Sequence, residues 1–378
     1  MHLQLTKQQE IIRQMTADFS AREVRPIAAE IDNTETFPMQ TVEKLFKIGV
    51  MGMNLPREYG GAGADEIAYA IAVEELSRAC AATGGIVAAH NSLCCWPIWK
   101  YGTEEQKNKY LPKLTSATIG AFGLTEPNAG TDASAQQTVA RRQGDSYVLN
   151  GSKVFITNAG VAGIFVIFAM TDKSLGTKGI SAFIVEKGMP GFSLGKKEEK
   201  MGIRASSTCE LIFRDCAIPR GNLLGKEGEG FKIAMSALDG GRVGIGAQAL
   251  GIAQGAFDEA VAYTKQRVQF GKPISYFQNT RFKLADMETN IQAARWLVYG
   301  AAFKRQTGKP HSKEAAMAKL FASETAMEVT TRALQLHGGY GYIRDYPMER
   351  MMRDAKITEI YEGTSEVQRM VISADILK

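Results

Sequence analysis

The chain lacks most of what would mark a metalloprotein, a membrane protein or a nucleic-acid binder. Its four histidines, His2, His90, His311 and His337, are isolated, and its five cysteines, Cys80, Cys94, Cys95, Cys209 and Cys216, form no C-x-x-C pair. Metal ligation is therefore not expected. An odd cysteine count, with no apolar or Arg/Ser-rich run at the N-terminus, points to a reducing compartment. The cytoplasm is the expectation, with the mitochondrial matrix as the alternative for a mature protein. No window approaches eighteen apolar residues free of charge, so no membrane span is expected. Net charge is only +5, and the densest basic cluster, Lys196, Lys197 and Lys200, is diluted by Glu198 and Glu199. An extended nucleic-acid surface has no basis here.

What is present is an ordinary globular composition, 45% apolar and 22% charged, in a chain of 378 residues, too long for one core. Residues 1–118 read as helical, with Ile11, Ile12, Met15 and Phe19 at helical spacing, a break over 56–63, and helices over 66–79 and 103–114. From 119 to 229 short β-rich runs appear at 138–141, 146–149, 154–157, 164–170, 181–185 and 209–213. Turn signals such as Asn150-Gly151 separate them. Such spacing predicts a compact antiparallel barrel or sandwich. From 230 to 378, four helical segments, roughly 231–268, 279–306, 312–336 and 346–376, predict an antiparallel four-helix bundle.

Chemistry concentrates in a few segments. Ile360-Tyr361-Glu362-Gly363-Thr364-Ser365-Glu366 places an acid beside a glycine and then starts a helix. A carboxylate on such a break can face a cavity, and the new helix start offers unpaired N–H groups to an anionic or carbonyl oxygen. That arrangement suits removal of a proton from carbon beside a polarised carbonyl, although many acids at helix starts only cap. The loop Phe122-Gly123-Leu124-Thr125-Glu126-Pro127-Asn128-Ala129-Gly130-Thr131-Asp132 supplies hydroxyls and backbone donors able to wrap a heterocycle and reach a phosphate. Phe155-Ile156-Thr157 adds an aromatic face and a hydroxyl at a strand end.

Gly244-Ile245-Gly246-Ala247-Gln248-Ala249 matches a dinucleotide fingerprint by letters only. No strand precedes it, so its glycines are read as helix-packing residues. Asp239 and Arg242 could hold a nucleotide-bearing substrate. Arg267, in Arg-x-Gln-Phe-Gly, ends a helix and could grip phosphate with its planar fork; Gln278 lies just before the next helix. Gln335-Leu336-His337-Gly338-Gly339 is a glycine-rich helix end that suggests close backbone approach by a ligand, with His337 read as structural.

Taken in this order, Leu-Thr-Glu-Pro-Asn-Ala-Gly-Thr-Asp, Phe-Ile-Thr-Asn, Arg-x-Gln-Phe-Gly, Gln-x-His-Gly-Gly and Tyr-Glu-Gly-Thr-Ser-Glu resemble the acyl-CoA dehydrogenase family, in its bacterial butyryl-CoA (short-chain) type. The resemblance covers essentially the whole chain. It implies a mainly α fold with a central β-barrel: an N-terminal helical domain, an antiparallel β-barrel and a C-terminal four-helix bundle. It implies FAD contacted by Phe122, Leu124, Thr125, Gly130 and Thr131, and by Phe155, Ile156 and Thr157. Arg267, Gln278, Gln335, Leu336, His337, Gly338 and Gly339 would reach FAD across a subunit interface, and Thr364, Ser365 and Glu366 would complete the site. Thr131, Asp239, Gly240, Gly241, Arg242 and Gly363 match substrate-binding positions; Thr131 stands where the family has serine and keeps the hydroxyl.

Glu362 matches the catalytic base. Family members that carry the base elsewhere place it at the position held here by Gly241, so Glu362 is the remaining candidate. The implied reaction removes the α-hydrogen of an acyl-CoA as a proton and the β-hydrogen as a hydride, turning butyryl-CoA into crotonyl-CoA. An electron-transfer flavoprotein as acceptor and a homotetramer are implied too. An enoyl-CoA reductase, a branched short-chain dehydrogenase, an oxidase and an idle binding scaffold are the alternatives.

Overall fold

The computed structural model describes residues 4–378. The N-terminal part is helical because local sequence starts and stops each helix. In α1 (Lys7–Phe19), Thr6 accepts from the Gln9 N–H while the Gln9 side chain returns to the Thr6 N–H, a reciprocal cap. Helices α2 (Ala28–Asn33), α3 (Met39–Lys47), α4 (Glu66–Ala79), α5 (Ala81–Ala88) and α6 (Trp96–Tyr101) follow. Asp65 caps α4 through the Ala68 N–H at 2.8 Å. Helix α7 (Glu104–Ser116) repeats the reciprocal cap with Thr103 and Gln106. Helix α4 is buried on nearly every face and lies within the largest hydrophobic core.

The middle of the chain forms one sheet from β1 (Gly120–Gly123), β2 (Val139–Gln143), β3 (Ser146–Thr157), β4 (Ile164–Met170), β5 (Ile180–Glu186), β6 (Phe192–Lys197), β7 (Thr208–Pro219) and β8 (Leu223–Leu224). Its order is β6-β7-β3-β2-β4-β5-β8, with β1 pairing β4 off that path. The outer strands β6 and β8 do not pair, and β1–β4 and β2–β4 run parallel. Where strand spacing predicts a compact antiparallel barrel or sandwich, and the resemblance a barrel, the described strands form an open, mixed sheet. The parallel pairs follow from the connection between β1 and β4. Parallel neighbours need a long crossover, and here it includes the loop 124–138 and the β2–β3 hairpin. A second correction concerns Asn150-Gly151, which does not end a strand. It sits at a register shift within β3, where Gly151 takes φ 145° and the ladder to β7 resumes beyond it.

The C-terminal part opens with α8 (Gly230–Gln266), a hairpin of β9 (Val268–Gln269) and β10 (Lys272–Pro273), then α9 (Gln278–Gln306) and α10 (Ser312–His337). Helix α8 packs between α10 and α4. A Cβ at Gly244 would lie 2.5 Å from Tyr69 Oη and one at Gly246 3.2 Å from Val298 Cγ2, which accounts for the glycines of that dinucleotide-like run as close helix contacts. The short α11 (Gly339–Tyr342) leads into α12 (Met348–Ile357) and α13 (Ser365–Ile376). The expected fourth helix over 346–376 is therefore two helices, because Glu362 and Gly363 adopt φ of 55° and 94° and cannot continue a right-handed helix.

Candidate active site

The break between α12 and α13 is built to present one side chain. Left-handed backbone at a non-glycine residue costs about 1–3 kcal/mol and persists only where its surroundings impose it. At Glu362 they do. The Gly363 carbonyl oxygen accepts from Lys319 Nζ at 2.5 Å and from Gln368 Nε2 at 2.8 Å. Gln368 Nε2 also reaches the Glu362 carbonyl at 3.4 Å. The Thr364 hydroxyl caps α13 through the Val367 N–H. The Glu362, Gly363 and Thr364 N–H groups make no hydrogen bond to another described residue.

Glu362 as a residue is half-buried, but its Oε2 is fully buried and has no hydrogen-bond partner among the described residues. Burial pushes the carboxyl up to about 7, against the opposing pull of Lys319 and Arg242. The carboxyl faces Gly241 on α8, where an added Cβ would lie 2.1 Å from Oε2 and 3.0 Å from Leu93 Cδ2. A side chain at 241 and a carboxylate at 362 compete for the same space. Arg242, one residue on, is buried and pairs with Asp239 at 2.6 Å; Ser312 Oγ donates to the other Asp239 oxygen. Gly240 lies under the Arg305 guanidinium, 2.4 Å from where its Cβ would stand.

The strand-end loop reaches the same neighbourhood. Phe122 packs with Leu238 against a small cluster of Ala89, Leu93 and Ala237, and Leu93 is the residue that flanks Gly241. Beyond Phe122 the loop is held by the buried Lys153, whose Nζ donates to Leu124 O at 3.1 Å, Glu126 Oε1 at 2.6 Å and Gln136 Oε1 at 3.0 Å. Glu126 in turn accepts from the Gln137 and Thr138 N–H groups. The Thr125 carbonyl accepts from the Val154 N–H at 2.9 Å. Leu124 and Ile156 turn their side chains into hydrophobic cores, leaving only backbone to face a ligand. Gly130 and Thr131 are exposed, with open space where a Gly130 Cβ would stand. Phe155 sits at a register shift in β3 with φ 60°, which turns its ring outward to 64% exposure. Thr157 is partly buried.

A second group lies elsewhere. Arg267, Gln335, Leu336, His337, Gly338 and Gly339 line an open cleft of 470 Å³ whose lining includes none of the residues around Glu362. Gln278 begins α9 and is exposed outside that lining. His337 is buried, stacks on Tyr263 at 4.2 Å and bonds the Ala333 carbonyl through Nδ1 at 2.8 Å, and burial lowers its pKa. Thr364 and Ser365 stand at the start of α13, with Ser365 buried and Glu366 exposed.

Sequence reasoning missed Lys319, Gln368, Leu93 and the Lys153–Glu126–Gln136 clamp. One signal was available for Lys319. Ala315, Ala316, Ala322 and Ser323 lie three and four positions away on the same helical face and are all buried, so helical periodicity puts this lysine inside. No metal-ligating cluster and no helix long and apolar enough to cross a membrane occur among the described residues.

Family models for the acyl-CoA dehydrogenase N-terminal, middle and C-terminal domains match residues 6–118, 121–216 and 228–377. A chain with this helix–sheet–helix order and these matches belongs to the acyl-CoA dehydrogenase family. It is 62% identical to the short-chain-specific acyl-CoA dehydrogenase of Clostridium acetobutylicum, over all of both chains. Among solved structures, butyryl-CoA dehydrogenase from Megasphaera elsdenii superposes with a TM-score of 0.99 at 53% identity, over all of both chains. A chain in the structure of the electron transferring flavoprotein of Acidaminococcus fermentans does so with a TM-score of 0.99 at 57% identity, again over all of both chains.

Proposed function

We propose that this chain is an FAD-dependent short-chain acyl-CoA dehydrogenase that removes the α-proton of butyryl-CoA with Glu362. The observation that carries this reading is the Glu362 carboxyl: desolvated, without a partner at Oε2, and held on a strained break opposite Gly241. A water-exposed glutamate, with a pKa of about 4.3, is a weak base. One raised to about 7 by burial is poised to accept a proton near neutral pH. The Glu362 N–H, unbonded among the described residues, would donate to the thioester oxygen where negative charge develops. Such a donor is worth roughly 2.7–4 kcal/mol in the transition state. Leu93, Ala237, Leu238 and Phe122 form apolar surface beside the base, suited to a short acyl chain. Asp239 and Arg242, with Thr131, are the proposed polar contacts of the substrate, and Gly240, Gly241 and Gly363 its close backbone approaches.

The residues present fit FAD. Phe155 is strained outward as a flat apolar face and Gly130 leaves open space, and the Thr125, Thr131 and Thr157 hydroxyls with the backbone of Phe122, Leu124 and Ile156 would line the cofactor. When bound, FAD supplies the acceptor for the β-hydride. Arg267, Gln278 and Gln335–Gly339 lie apart from Glu362, which suits contact with a neighbouring subunit's FAD; Thr364, Ser365 and Glu366 would close the chain's own site. A homotetramer agrees with the exposed apolar residues Phe282, Trp296 and Phe303 on α9, Phe321 on α10 and Met370 on α13. Units 1–118, 119–229 and 230–378, reoxidation by an electron-transfer flavoprotein and a cytoplasmic location complete the proposal.

Glu362→Gln should retain FAD and bind acyl-CoA while turnover falls by about 10²–10⁴-fold. Retention of more than a few per cent of activity would remove Glu362 as the base. Anaerobic bleaching of the flavin across acyl-CoA thioesters of increasing length should be fastest with butyryl-CoA.

A further inference from the structure

Lys319 is fully buried on α10, yet among the described residues no carboxylate lies within ion-pair distance of it. Its ammonium donates to a neutral acceptor, the Gly363 carbonyl, 44 positions along the chain at 2.5 Å. We propose that Lys319 is a positioning residue for the base: it clamps the left-handed Glu362–Gly363 break so that the carboxyl faces Gly241, and supplies an uncompensated buried positive charge beside it. The inference rests on the assignment of Glu362 as the base.

The groups that face Glu362 come from three helices and its own segment. Lys319 approaches from α10, Arg242 from α8, Tyr69 from α4, and Tyr361 precedes it in the chain. Arg242 is already matched by Asp239, and Tyr361 is tied to Gln248. Lys319 itself feels Glu359 and Glu366 as well as Glu362 and Arg242. A wholly apolar site would keep Glu362 protonated and useless as a base. An unpaired ammonium at moderate range counters that without neutralising the carboxylate in a direct ion pair, which would blunt its basicity. Gln368 shares the mechanical task at the Gly363 carbonyl but carries no charge, so geometry and field can be separated.

The test uses Lys319→Gln, which keeps a donor and deletes the charge, and Lys319→Arg, which keeps the charge. Infrared titration of the protonated carboxyl band, assigned by its loss in Glu362→Gln and read without turnover, gives the Glu362 midpoint. Lys319→Gln should raise that midpoint by about one pH unit. It should lower kcat at pH 7 about fivefold with KM little changed, and regain kcat at higher pH. Lys319→Arg should hold the parent midpoint. A midpoint unmoved in Lys319→Gln overturns the inference while leaving the base assignment standing. Should the Lys319 variants not fold, the coupling is still readable from the other side. Nitrogen NMR of the Lys319 ammonium must then show a lower midpoint in Glu362→Gln than in the parent; equality there also overturns it.

Discussion

Two wholly buried lysines of this chain do opposite things. Lys153 meets Glu126 at 2.6 Å, and three acceptors surround its ammonium. Lys319 meets a carbonyl and faces a carboxyl that it does not contact as an ion pair. Burial depresses both to about 8 by the same desolvation, and in each case the neighbouring glutamate opposes that effect. The outcome for the glutamates differs. Glu126, also held by the Gln137 and Thr138 N–H groups, falls below its ordinary pKa despite burial, whereas Glu362 rises to about 7. A carboxylate with its lone pairs filled is a fixed strut for the loop 124–138. One with an unpartnered Oε2 keeps its appetite for a proton.

The contrast breaks most sharply at Lys153. Lys153→Met strands the buried Glu126 charge and should cost about 3–5 kcal/mol in chemical unfolding at pH 7. Lys319→Met removes a charge with no ion-pair partner among the described residues and should cost far less stability while lowering kcat; equal unfolding losses would erase the distinction. Gly241→Ala comes next. Its methyl would displace the Glu362 carboxyl, and a misplacement of about 1 Å can cost about a hundredfold in kcat. Flavin content should be unchanged, and a kcat equal to that of the parent would show that the carboxyl does not need that space.

The smallest effect is in the pH dependence of stability. Glu362 folds with its pKa raised above the unfolded value, so the native state binds more protons between about 4.5 and 7. Its favourable contribution is complete below that window and is lost as pH rises through about 7. Urea midpoints should therefore decline less between pH 5 and pH 7.5 in Glu362→Gln than in the parent, and parallel curves would contradict the assigned shift.

The local signals in the chain were good guides where neighbours in sequence decide structure. Glu66–Ala79 is helical over the range read from its periodicity, and the Thr103 start of α7 is a capped start. The Tyr361-Glu362-Gly363-Thr364 break was legible because an acid and a glycine before a capping threonine act within a few residues. Reading 346–376 as one helix was wrong for the same region, because periodicity continues across a break that backbone strain creates. Strand spacing likewise could not reveal that β1 and β2 lie parallel to β4, since the partner of a strand is chosen over long distance. Asn150-Gly151 has turn chemistry, but pairing of β3 with β7 on both sides of it converts the turn into a bulge.

By itself the sequence determined where helices begin, which loop carries hydroxyls and glycines, and that Glu362 stands on a break. Those properties depend on dihedral preference, capping and side-chain type over a few residues. Only the tertiary structure decided that Gly241 faces Glu362, that the buried Lys319 meets no counter-ion among the described residues and that Lys153 has one. Desolvation and charge pairing are sums over atoms brought together by packing, and in this chain those atoms come from α8, α10, the α12–α13 break and the end of the sheet.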